Sequence, residues 1–185
     1  MGEPTLHTPV LPILAAFSRY DEALAWARRR FAQMWGPVGL ESEPFAFDQT
    51  DYYAATMGPG LRKVFLAAAE PVDPSGLVDW KLATNAWEAE YAAGVSAAPG
   101  GEPRPLNLDP GYLTLGKLVL ASTKDFAHRV YLGRGIYAEI TLFYRRHRWE
   151  HHEWTFADYR QPGYHEFFTR CRDYLHRRLR EGASP

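Results

Sequence analysis

The chain has 185 residues, 46% of them hydrophobic, 23% charged and 15% aromatic, which is enough for one domain with a core that needs no staples. A single cysteine, Cys171, excludes an intramolecular disulfide and a Cys-based zinc finger. The formal net charge of −1 excludes a global field that recruits nucleic acid or membrane, although it hides an asymmetry. From residue 120 onward there are 12 Lys/Arg against 8 Asp/Glu and six of the seven histidines, so the first two-thirds is acidic and the remainder basic.

The pattern predicts a single domain over residues 9–180, with flexible termini at 1–8 and 181–185 and a Pro/Gly-rich loop insertion at 96–105. The apolar run Val10 to Phe17 reads as a buried strand. A helix opens at Ser18 to Asp21, carries Leu24, Ala27, Phe31 and Trp35 at helical spacing, and stops at Gly36-Pro37. Glu41 to Phe47 reads as a strand, with Pro44 marking an edge or bulge, and Leu61 to Ala69 as another. Pro74 starts a second helix with Leu77, Trp80, Thr84, Trp87 and Tyr91 along one side.

Asp109-Pro110 reads as the cap and first position of a third helix carrying Leu115, Leu118, Val119 and Ser122. His128 to Tyr144 predicts a β-hairpin turning at Gly133-Arg134-Gly135, and Pro162 to Arg180 a terminal helix. Strands separated by helices, with one hairpin in the C-terminal half, predict an α+β fold of helices packed on a mixed sheet.

Several residues could carry chemistry. If Leu132 opposes Ile136, then Tyr131 opposes Tyr137, Val130 opposes Ala138 on the core side, and Arg129 opposes Glu139. Lys124 and His128 lie close by, so His128 and Glu139 are candidates for acid–base work, together with Asp109, and Lys124 and Arg129 for binding an anion. The alternation also lets His128 be a satisfied core histidine, and Arg129–Glu139 an ordinary cross-strand pair. Lys81, Asn85 and Glu88 fall at i, i+4 and i+7 of the second helix, a face that could hold a polar ligand or be solvated. Asp48 and Asp51 are weak metal candidates, since as turn-formers and caps they need no ligand at all.

In the tract Arg145 to Glu153, His147 and His151 share a strand face that His152 opposes, which gives no three-ligand zinc cluster. An Arg/aromatic strip over residues 143–154 could instead stack on bases or meet a protein partner. No phosphate loop, nucleophile elbow, zincin helix or dinucleotide fingerprint is present. No cofactor and no membrane partner is expected, and a cytoplasmic setting is, because there is no long apolar run or signal-like start.

Some segments form one recognisable pattern: Glu41 to Asp48 with Thr50 to Tyr53, Lys81 to Asn85, Asn107 to Tyr112, Lys117 to Asp125, His128 to Gly133, Gly135 to Glu139 and Trp154 to Arg160. Together they resemble the bacterial domain of unknown function 4416, over about Pro9 to Leu179. The resemblance implies one compact domain in a bacterial cytoplasm and carries no activity. The leading expectation is a protein that binds, and acts on or merely holds, a small phosphate- or carboxylate-bearing ligand in a polar cleft. The alternative is an RNA- or protein-binding module using the strip.

Overall fold

A computed structural model describes residues 2–3, 5–48, 53–95 and 102–182. In chain order its elements are β1 (Leu11–Ser18), α1 (Asp21–Trp35), β2 (Val38–Glu41), β3 (Phe45–Ala46), α2 (Ala54–Met57), β4 (Arg62–Ala68) and α3 (Leu77–Val95). Then follow β5 (Asn107–Leu113), β6 (Lys117–Ser122), β7 (Val130–Gly133), β8 (Ile136–Arg145), β9 (Arg148–His151) and α4 (Pro162–Gly182). Short 3₁₀ turns precede α3 (Pro74–Gly76) and α4 (Ala157–Arg160).

The strands form one sheet in the order β2-β4-β1-β5-β6-β8-β7, with β3 on β4 and β9 on β8. Every pairing among these strands is antiparallel, where a mixed sheet was expected within the α+β class. Topology supplies the reason. β1 and β2, joined by α1, run parallel to each other but have β4 between them; β4 and β5, joined by α3, have β1 between them. This split βαββαβ order is that of ferredoxin-like folds, here extended by five more strands and α4.

All eight residues of β1 are buried, because helices cover both faces of this central strand. Leu14, Ala16, Val64, Leu66 and Leu108 face one core with Phe31 and Trp35 of α1 and Leu77 and Trp80 of α3. The alternate residues Leu11, Ile13, Phe65 and Leu113 face α4, which contributes Tyr164, Phe167, Phe168, Cys171 and Leu175. The α1 stop at Gly36 is real: its φ of 77° is one that a side chain resists.

Four sequence expectations need correction. Residues 41–47 form two strands, broken around Pro44. The segment from Asp109 is no helix but β5 and β6, because Asp109 to Leu113 pairs against the buried centre of β1. Pro110 is accommodated where a ladder ends: β6 pairs with β5 only at Gly111, Tyr112 and Leu113. Gly111 permits that close approach, since a Cβ there would lie 2.2 Å from the Val119 carbonyl oxygen.

The hairpin has the expected Val130–Ala138 and Tyr131–Tyr137 pairs, but a bulge replaces Leu132–Ile136 with Gly133–Ile136. Val130 does not point into a core; it is 67% exposed, because β7 is the sheet edge and has no helix over it. A second bulge leaves Thr141 of β8 without a partner on β6. Of the expected 96–105 insertion, residues 96–101 lie outside the described residues.

Candidate functional site

Strand register decides which side chains can meet. Lys63, Phe17 and Asn107 are cross-strand neighbours, as are Asp109 and Ala15, and Glu139 and Leu120, so all share the face that α4 covers further along. Beyond α4 this face carries the 3₁₀ turn Ala157–Arg160, and a cavity of about 550 Å³ opens between them. That volume suits a small metabolite. Lys81, Asn85, Asp109, Lys124, Arg129 and Glu139, named from sequence, all line it.

Three ion pairs, each built on a buried cation, occupy the walls. Arg129, its side chain 3% exposed, donates from Nε to Glu139 Oε2 at 2.7 Å and from one terminal nitrogen to Ser122 Oγ at 2.6 Å and the Lys124 carbonyl at 3.0 Å. The Arg129 guanidinium also lies over the Phe126 ring. Lys81 Nζ donates to the Leu108 carbonyl at 2.9 Å and to Asp109 Oδ1 at 3.2 Å. Lys63 Nζ meets Asp158 Oδ2 at 2.5 Å inside a box of the Phe17, Phe47 and Tyr159 rings.

Lys81 reaches this face from α3, which packs on the opposite one. It can do so because β6 pairs with no β5 residue from Asn107 to Pro110, so the sheet is open there. Ser122 would oppose Asp109 if the ladder continued, so Arg129 bonded to Ser122 and Lys81 bonded to Asp109 line the two sides of the opening.

The carboxylates mostly serve as anchors. Glu139 Oε2 takes Arg129 and His128 Nε2 (3.2 Å), while Oε1 takes the Thr141 hydroxyl. The bulge at Thr141 therefore supplies one of its partners. Burial pushes the Asp109 carboxyl up, but the Lys81 and Lys63 cations and hydrogen bonds from Lys81 and Asn107 outweigh it and hold it below the ordinary range. Glu88 stands behind the wall, accepting from the Leu108 N–H at 2.7 Å and from Arg104 at 3.1 Å. Its pKa is raised by burial, against the pull of Lys81 and Arg104.

His128 does not reach the cavity wall; it stacks between Phe126 and Trp154 at 5.8 and 5.4 Å. Trp154 stacks in turn on His152, which contacts Phe143. Asp48 is exposed, and Asp51 lies outside the described residues. Among the described residues no group of three His, Cys, Asp or Glu could hold a metal ion.

Sequence reasoning missed Lys63, Asp158, Arg104 and the aromatic box. Lys63 did leave a signal, a lysine alternating with Phe65 and Ala67 on the inward face of an apolar strand. Asp158 left none, since only the packing of its turn brings it to β4.

The match to known families covers the two faces of the sheet together, residues 8–174, and the model matched is a domain of unknown function, DUF4416. The chain belongs to the DUF4416 family. No curated protein and no solved structure matches it. The DUF4416 match spans every cavity-lining residue. Among the described residues of this DUF4416 chain, no helix is long and apolar enough to cross a membrane.

Proposed function

We propose that the protein binds a small phosphate- or carboxylate-bearing molecule in this cavity, in the cytoplasm of a bacterium. The observation that carries this reading is unspent donor capacity on buried cations. The second terminal nitrogen of Arg129 has no acceptor among the described residues, and Lys81 Nζ, which carries three N–H donors, makes two hydrogen bonds. Asn85, beside Lys81 on the cavity wall, has an amide that bonds to none of the described residues. Donors fixed in a walled site favour an anion far more than the same groups do in water.

Glu139 and Asp109 already accept from several donors, so their role is to position Arg129 and Lys81. His128 orients Glu139 from behind.

Thermal denaturation with inorganic phosphate, adenosine monophosphate and citrate tests the reading. At about 100 times Kd a ligand adds about 2.7 kcal/mol of stability, a readily measured rise in Tm. The rise should vanish in Lys81→Met and Arg129→Met. Absence of a rise with all three anions overturns the proposal.

The competing strip over residues 143–154 draws support from Trp154, which is 48% exposed. It ranks second because its rings stack on one another, which leaves few faces for bases. RNA retention at low salt that falls steeply as salt rises would reverse the ranking.

A further inference from the structure

We propose that the cavity reads its ligand at two ends, an anionic group in the opening between β5 and β6 and a hydroxyl at Asp158, so that the ligand is a sugar or polyol phosphate. The inference rests on the anion reading above and adds the chemistry of the other end.

The anionic end is the gap in the ladder. Lys81 enters it from the far layer on the β5 side, and Arg129 stands at Ser122 on the β6 side. A phosphate between them accepts from the free Arg129 nitrogen and the third Lys81 N–H, and its several oxygens suit two donors approaching from opposite sides.

The other end is defined by Asp158. Its side chain is 6% exposed, Oδ2 takes Lys63, and Oδ1 accepts no bond from the described residues although the residue lines the cavity. An ionised carboxylate only accepts, so this oxygen seeks a donor and repels a second anion. Lys63 at 2.5 Å repels a cationic amine. What remains is a neutral donor, a hydroxyl. The rings of Phe47 and Tyr53 beside it give an apolar wall for the C–H face of a polyol.

The spacing agrees. Lys63 on β4 opposes Phe17 of β1 and Asp109 on β5 opposes Ala15, so their backbones stand two strand spacings and two residues apart, about 12 Å. Side chains reaching inward shorten that to the length of a pentose or hexose chain.

Calorimetric titration with inorganic phosphate, ribose phosphate and butyl phosphate tests the idea. Butyl phosphate fills similar space without hydroxyls. Wild-type protein should bind ribose phosphate at least about tenfold more tightly than butyl phosphate, because a site built to bond a hydroxyl discriminates against its absence. The double variant Lys63→Met/Asp158→Leu replaces the pair with apolar groups and should bring the two esters to equal affinity. Equal affinity in the wild type, or a preference that survives the double variant, overturns the two-ended reading alone. Failure of all three phosphates, and of citrate beside them, to bind overturns the anion reading beneath it. The wild-type comparison stands whether or not the variant folds.

Discussion

Along four neighbouring strands one face of the sheet changes character from end to end. On β1, Leu11, Ile13 and Ala15 give way to Phe17; on β4, Ala67 and Phe65 to Lys63; on β5, Leu113 to Asp109 and Asn107; on β6, Leu118 and Leu120 to Ser122. The apolar end is sealed by α4, and the polar end carries a 3₁₀ turn. Alternation tells which side of a sheet a residue faces; it does not tell what lies above. The dry half is stabilised by packing, whereas the wet half spends burial on ion pairs that are weak contributors to stability. Charges kept under those terms point to binding.

Substitutions in the two halves should therefore differ most in stability. Phe65→Ala removes a fully buried ring that packs on Tyr164 and Phe168 at 4.6 and 4.9 Å. It should cost about 3–5 kcal/mol in urea denaturation. In the wet half, Lys63→Met alone strands a buried carboxylate and should cost a similar 3–5 kcal/mol, yet adding Asp158→Leu should restore most of it. A double variant as unstable as Phe65→Ala would erase the contrast between the halves.

At the boundary, Gly111→Ala forces a Cβ against the Val119 carbonyl and should cost about 1–3 kcal/mol. Within the dry half some polar atoms are out of place: Trp149 Nε1 and the Tyr159 and Tyr164 hydroxyls are buried without a partner among the described residues. Tyr164→Phe should leave stability unchanged or raise it by up to about 1–3 kcal/mol, read from the same denaturation curves.

The smallest effects are in pH dependence, where two carboxyls near α3 have opposite signs. Asp109 is held below its ordinary pKa, so its stabilisation is complete above that value and is lost as pH falls through the lowered one. Glu88 is held above its ordinary pKa, so stability declines as pH rises through the interval between the ordinary and raised values. Acid titrations of Tm should show the loss at low pH diminished in Asp109→Asn, and the decline with rising pH removed in Glu88→Gln. The same sign in both would show that the Lys81 network does not act as described.

Much of this site was readable in the residues. Helical spacing put Lys81, Asn85 and Glu88 on one side of α3, and hairpin pairing put Arg129 beside Glu139. Both follow from local periodicity. Lys63 and Asp158 escaped because they are 95 residues apart and meet only through the packing of a turn onto β4. Asp109-Pro110 misled for a physical reason: a proline without an N–H is equally at home at the first turn of a helix and at the end of a strand ladder. Only the register of β1 distinguishes them.

Thr141, the extra residue of β8, shifts the strand's reading frame. Before it, Ile136 and Ala138 belong to the core under α1 and α3; after it, Leu142 and Tyr144 belong to the core under α4. One strand thus serves two cores on opposite sides without crossing the sheet. Deleting Thr141 alone would turn Leu142 and Tyr144 away from α4 and remove the hydroxyl that holds Glu139. Length changes in this strand are consequently tolerable only in steps of two, and the geometry of the cavity is tied to a count of residues as firmly as to their identity.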